Sequence, residues 1–134
     1  MKIAICIDDK NGLGFNKRRQ SRDRLLIENL IASADGGKIF ISSYSAPLFA
    51  DFPDKIEVRD DFLEAAGDSD ICFVEDRDIT PYADRIDYII LYRWNRHYPA
   101  DRWLELDISQ YSLVSSVEFA GSSHDLITRE DLTR

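Results

Sequence analysis

Residues 1–134 are expected to form a single domain of the α/β class. Three observations predict it. Apolar runs short enough for strands alternate with segments of helical spacing through the first two thirds of the chain. The tail carries strand candidates alone. The length of 134 residues, with 44% apolar and 31% charged residues, suits one globular domain and leaves no room for two ordinary ones.

Each element has its own reason. Lys2–Ile7 puts Ile3, Ile5 and Ile7 on one face and Ala4 and Cys6 on the other, as a strand buried on both sides requires. Asp8 to Gly14, with Asp-Asp, Asn-Gly and Gly-Leu-Gly, reads as a turn. Over 21–34, Leu26, Ile27, Leu30, Ile31 and Ala34 recur at helical spacing, so Glu28 and Asn29 should point outward. Ser21 or Asp23 can cap that helix and Gly36-Gly37 ends it. Strand 38–42 follows, and Pro47-Leu48-Phe49 opens a turn or short helix. Beyond Pro53 a short strand covers 55–58, and Asp60 caps a helix that runs through Ala66 to Gly67. Residues 70–74 are strand. Ile79–Arg85 holds a short helical turn, because Pro81 fits only a first turn. A long apolar strand covers 87–94, and 102–107, 112–119 and 125–129 are strand candidates.

Charge and composition exclude whole classes of function. The net charge of −8 repels phosphate backbones, so no nucleic-acid partner is expected. The basic cluster Lys17-Arg18-Arg19 with Arg22 and Arg24 runs against that trend and reads as a solvated loop and helix start. No run approaches the about 18 apolar residues of a membrane span, and the first apolar run is too short for a signal peptide. A cytoplasmic chain with no membrane partner is the expectation. Cys6 and Cys72 lie in strand-like runs, where free buried thiols are ordinary.

A resemblance spans nearly the whole chain. The segment Pro81-Tyr82-Ala83-Asp84-Arg85 leading into Ile86–Leu91, His97-Tyr98-Pro99 with Trp103, the tail Ser123–Arg129, and Asn11-Gly12-Leu13-Gly14 after the first strand are similar, in order, to stretches of the dihydrofolate reductases. The resemblance implies a three-layer fold with a mostly parallel central sheet and a C-terminal antiparallel hairpin. It also implies site residues: Gly14, Ser43 and Ser45 at the cofactor, and Ile5, Leu26, Ile27 and Leu30 around the substrate.

Three chemical demands of such a reductase fare poorly here. In ungapped register the family's acidic proton donor falls on Leu26; a gap of about three residues would put Asp23 there instead. Glu28 is about 200° around the helix from Leu26 and faces away. Where the family has a Gly-Gly pair that lets backbone approach the cofactor, this chain has Glu75-Asp76-Arg77-Asp78, and like charge there opposes pyrophosphate. The Gly-Arg-x-Thr pattern becomes Ser42-Ser43-Tyr44-Ser45, so Ser43 stands in for the phosphate-holding arginine. A strand that should supply 2′-phosphate contacts is missing between Phe49 and Lys55.

The expectation is therefore a dihydrofolate reductase-like domain without NADPH binding or folate reduction, serving as a non-catalytic module for an unknown small molecule or protein. The alternative is a divergent NADPH-dependent reductase of a pterin-like substrate with Asp23 as proton donor. Loss of the strand leaves an edge at 55–59, where Lys55, Glu57 and Arg59 alternate as blockers, so a monomer or weak dimer is expected. Other chemistry finds little footing. Asp8-Asp9 with Asn11 lacks the glutamate that closes a calcium loop and reads as a solvated turn, and His97 and His124 have no Cys or Glu at metal spacing. No metal site is expected. Ser42, Ser43 and Ser45 lack the glycine elbow of a hydrolase nucleophile.

Overall fold

Hydrophobic alternation sets the architecture. β1 (Lys2–Ile7) lies between β6 (Ile71–Phe73) and β7 (Tyr88–Arg93) and runs parallel to both. On one face Ile3, Ile5 and Ile7 meet Ile89, Leu91 and Cys72; on the other Ala4 meets Ile90, Tyr92 and Phe73. The computed structural model describes all 134 residues. Outward from β6 come β4 (Ile39–Ile41) and β5 (Ile56–Val58), both parallel; outward from β7 come β10 (Ile127–Thr133) and β9 (Ser112–Phe119), both antiparallel. The seven-stranded order is β5-β4-β6-β1-β7-β10-β9.

Two cores sandwich this sheet. α1 (Arg24–Ala32) buries Leu26, Ile27 and Leu30 against Ala4, Ile39, Ile41, Phe49 and Tyr92. α2 (Phe62–Ala65) buries Phe62 and Leu63 on the opposite face with Ile79, Ile86 and Leu106. The result is the three-layer α/β arrangement that the sequence predicts, with the C-terminal hairpin antiparallel.

Local differences have local causes. α1 begins at Arg24 because Asp23 is the N-cap, with extended backbone and a side chain that accepts from the Leu25 and Leu26 N–H groups. Ser21 is outside it. Asn29 does not face solvent: its Oδ1 accepts from the Tyr92 hydroxyl at 2.6 Å and from Arg129 at 2.8 Å. The 8–14 segment is not all turn. β2 (Gly12–Phe15) and β3 (Arg18–Arg19) form a hairpin whose turn residues Asn16 and Lys17 have φ of 53° and 61°, the left-handed pair of a tight hairpin. β2 also pairs with β8 (Arg102–Trp103), making a second small sheet. Lys17 in place of the usual glycine hid this hairpin from a sequence reading. The 102–107 candidate shrinks to β8, and the final strand runs past 129 to Thr133.

Both sheet edges are exposed. β5 is short and flanked by Lys55 and Arg59; β9 is eight residues long and skips Val114 in its register with β10. Such a bulge twists a strand away from flat pairing. No helix is long and apolar enough to cross a membrane.

Leu30 is fully buried and Glu28 exposed on the same helix. Leu30→Ala should cost about 2–5 kcal/mol in urea unfolding, while Glu28→Ala should stay within about 0.5 kcal/mol. Equal effects would contradict the packing described.

Candidate functional site

Asp23 ends in a nest of donors. Its Oδ1 accepts from Leu25 N–H (3.0 Å), Leu26 N–H (3.2 Å), Ser122 N–H (2.9 Å) and the Ser122 hydroxyl (3.1 Å). Its Oδ2 accepts from Ser123 N–H (2.8 Å) and lies 3.0 Å from His124 Nδ1. The carboxylate side chain is 0% exposed. Burial alone would raise its pKa, but the Ser122 and Ser123 N–H groups, then His124 and Leu26, outweigh that and hold it well below the ordinary carboxylate range. A side chain on Gly121 would place its Cβ 2.3 Å from Asp23 Oδ2, so the turn that delivers these donors requires glycine.

His124 continues the chain of contacts. A carboxylate only accepts, so Nδ1 carries the hydrogen; Nε2 then faces the Ser21 hydroxyl at 3.0 Å and the Tyr98 hydroxyl at 2.9 Å. The imidazole stacks on Trp94 at 4.5 Å and an interplanar angle of 23°. Aspartate, histidine and serine in this sequence of contacts form the relay of a nucleophilic site. Ser21, however, adjoins a void of only about 10 Å³, room for one water and not for an acyl substrate. The geometry serves to fasten loop 121–124 to α1 and to the Tyr98 segment.

A second acidic centre stands at the end of β6. Glu75 accepts from the Arg19 guanidinium at 2.9 and 3.1 Å and from the Ser45 hydroxyl at 2.8 Å. Arg102 donates to its backbone carbonyl, and Arg19 reaches Tyr44 O at 3.1 Å and stacks over the Tyr44 ring. Ser42 donates to Asp76 at 3.1 Å, and Asp78 caps Thr80. The acidic run predicted to oppose a pyrophosphate is thus already occupied by the protein's own donors. The 10 Å³ void lined by Cys6, Val74, Glu75 and Trp94 is the space left beside it.

The expected site residues fall in different places. Ser45 is fully buried and spent on Glu75; Ser43 is exposed. Gly14 sits in the hairpin, where a Cβ would meet Arg18 O at 2.9 Å and Arg102 Nη2 at 3.2 Å. Ile5, Leu26 and Leu30 are packed in the cores, while Ile27 also reaches an open cleft. That cleft, about 380 Å³, lies between the start of α1 and residues 47–52, lined by Arg22, Arg24, Ile27, Leu48, Asp51, Phe52, Ser122 and Ser123, with Asp23 at its floor. Its size is at the lower end of ordinary ligand pockets. Sequence reasoning missed His124, which lies 101 positions from Asp23. It also missed Asp8: that residue is buried, not solvated, and accepts from Gly12 N–H (2.7 Å), Gln20 (3.0 Å) and Tyr98 N–H (3.2 Å).

No protein-family model matches this sequence, and no curated protein matches it. Among solved structures, a dihydrofolate reductase from Enterococcus faecalis, described as complexed with NADP(H) and RAB-propyl, aligns with a TM-score of 0.69 over 100% of this chain and 96% of its own, at 10% identity. This chain has a divergent dihydrofolate reductase-like fold. At that identity the likeness concerns the dihydrofolate reductase-like fold alone, and the chemistry rests on the residues above.

Because Asp23 titrates below the unfolded value of about 4, its contribution to stability is full above that pH and drains away as pH falls below it. Asp23→Asn should cost about 2–4 kcal/mol near neutrality and flatten the loss of stability between pH 4 and lower values. Urea midpoints measured across pH would show it; an unchanged acid limb would remove Asp23 from this role.

Proposed function

We propose that this domain is a non-catalytic, small-molecule-binding member of its fold group that neither binds NADPH productively nor reduces folate. One observation supports the reading: the Glu75 carboxylate, in the segment where the resemblance puts a glycine pair beside the cofactor, is locked to Arg19 and Ser45, while the cleft beside α1 stays open. The cleft suits a small molecule with an apolar or aromatic body against Ile27, Leu48 and Phe52 and an acidic group toward Arg22. Asp51 and the Ser122 and Ser123 segment supply polar partners for its remaining groups.

The reductase alternative gives Asp23 the proton donor's role, and its support is that Asp23 borders the cleft. Against it stands the chemistry of that carboxyl. A general acid works best with a pKa near the working pH, and six donors push Asp23 the other way. We also propose that the chain acts as a monomer or weak dimer. The charged flanks of β5 and the bulge of β9 support that.

Five measurements test these proposals. NADPH absorbance followed with dihydrofolate at pH 6 to 7 should show no turnover, and calorimetry should find NADPH affinity no better than millimolar. The loss of about three charge-assisted hydrogen bonds at about 1.5–3 kcal/mol each weakens binding at least about a thousandfold. Micromolar NADPH binding with turnover abolished by Asp23→Asn would establish the reductase instead. In contrast, Glu75→Ala should free Arg19 and Ser45 and raise pyrophosphate affinity at least about tenfold; no gain would mean that Glu75 is not the block. A folate analogue should raise the thermal midpoint of the wild type more than that of Arg22→Ala. Light scattering at micromolar concentration should show no stable tetramer.

A further inference from the structure

Within the basic cluster Arg22 and Arg24 line the cleft and Arg19 holds Glu75, but Lys17 and Arg18 serve neither, and their surroundings give them a use. Residues 15–24 and 95–103 hold seven Lys and Arg against two acids, Asp23 and Asp101; the other residues carry a surplus of 13 acids. Asp23 is buried, and exposed Asp101, which accepts from Asn16 N–H at 3.1 Å, is the one acid of these segments on the outer face. These segments are contiguous. β2 pairs with β3 and β8, and Gln20 reaches Pro99. A positive lobe therefore projects from an acidic body.

Two exposed aromatics lie within it, Phe15 at 49% and Trp103 at 47%. Phe15 stands between two concavities of about 390 and 330 Å³, both lined by Asn16 and Arg18. β3, two residues long, is one of the two edges of the small sheet and has no strand paired on its outer side. Cations, half-exposed aromatics and a free strand edge together define a peptide-docking surface.

We propose that this lobe binds an extended acidic peptide segment of a partner protein, laid along β3 with carboxylates on Lys17, Arg18 and Arg102 and an apolar side chain beside Phe15. Charge complementarity selects an acidic partner over a neutral one. The strand edge favours a polypeptide over a nucleic-acid strand, whose backbone cannot complete a sheet ladder and whose phosphates meet the acidic body.

The test uses a fluorescein-labelled peptide of alternating Glu and Val, its Gln-for-Glu counterpart, and a single-stranded oligothymidine of similar length, followed by anisotropy with the full chain. The Glu peptide should bind, weaken with added salt, and bind at least about tenfold more tightly than the Gln peptide. Arg18→Ala and Phe15→Ala should each weaken it at least about fivefold, and Lys55→Ala on the far edge should not. Far-ultraviolet circular dichroism verifies that each variant is folded. Equal binding of the Gln peptide, indifference to Arg18→Ala and Phe15→Ala, or tighter binding of oligothymidine would overturn the proposal. None of these outcomes bears on the α1 cleft, whose variant and ligand are different.

Discussion

The Asp23 carboxylate is the point from which the functional half of the molecule hangs. It caps α1, gathers the Ser122 and Ser123 N–H groups and turns His124 toward Ser21 and Tyr98. Those partners come from three distant parts of the chain. A buried carboxylate is costly unless it is fully paired, so the six contacts must form together or not at all. This gives the cleft a defined shape: one wall is the start of α1 and another is the 122–123 segment, and both are held by the same group. Gly121 belongs to the same constraint, since a side chain there would strike the carboxylate.

Glu75 is the counterpart on the other side of Trp94. Asp23 collects backbone and imidazole N–H groups, whereas Glu75 collects a guanidinium and a hydroxyl. Trp94 stacks on His124 and also lines the small void beside Glu75, so the two polar centres share a wall. Truncating one partner of such a pair leaves the other desolvated and uncompensated. The Arg19–Glu75 contact therefore depends on both of its partners.

The central strands were legible in the sequence because their burial shows in where the apolar residues lie. Ile3, Ile5 and Ile7 alternate with Ala4 and Cys6, and Tyr88 to Arg93 continues the same two-faced burial, so the central strands are readable one by one. The β2–β3 hairpin was not readable, because Asn16-Lys17 reaches left-handed conformation without the glycine that usually signals it. Asp23 was legible as a possible cap, but its partner was not. Nothing in the local pattern around His124 distinguishes a buried imidazole from a surface one, and a contact across 101 positions exists only once the strands are assembled. Asp8 failed in the same way: its neighbours Asp9 and Asn11 are exposed, and only the Tyr98 segment folded over it makes it buried.

Net charge conceals a local feature for a related reason. A value of −8 averages over surfaces that the fold keeps apart, since the cations of 15–24 and 95–103 meet through β2, β3 and β8 while most of the acids lie elsewhere. Segregation of this kind needs a rigid support, because a mobile positive loop would fold back onto the acidic body. The hairpin has that support at three points. Arg19 and Arg102 tie it to Glu75, Gln20 ties it to Asp8, and the Tyr98 segment that covers Asp8 reaches His124. The lobe is therefore anchored to both buried carboxylate centres. A shift at Asp23 would pass through His124 and Tyr98 to the Asp8–Gln20 contact beneath β3, so the cleft and the basic lobe are held by one connected set of hydrogen bonds.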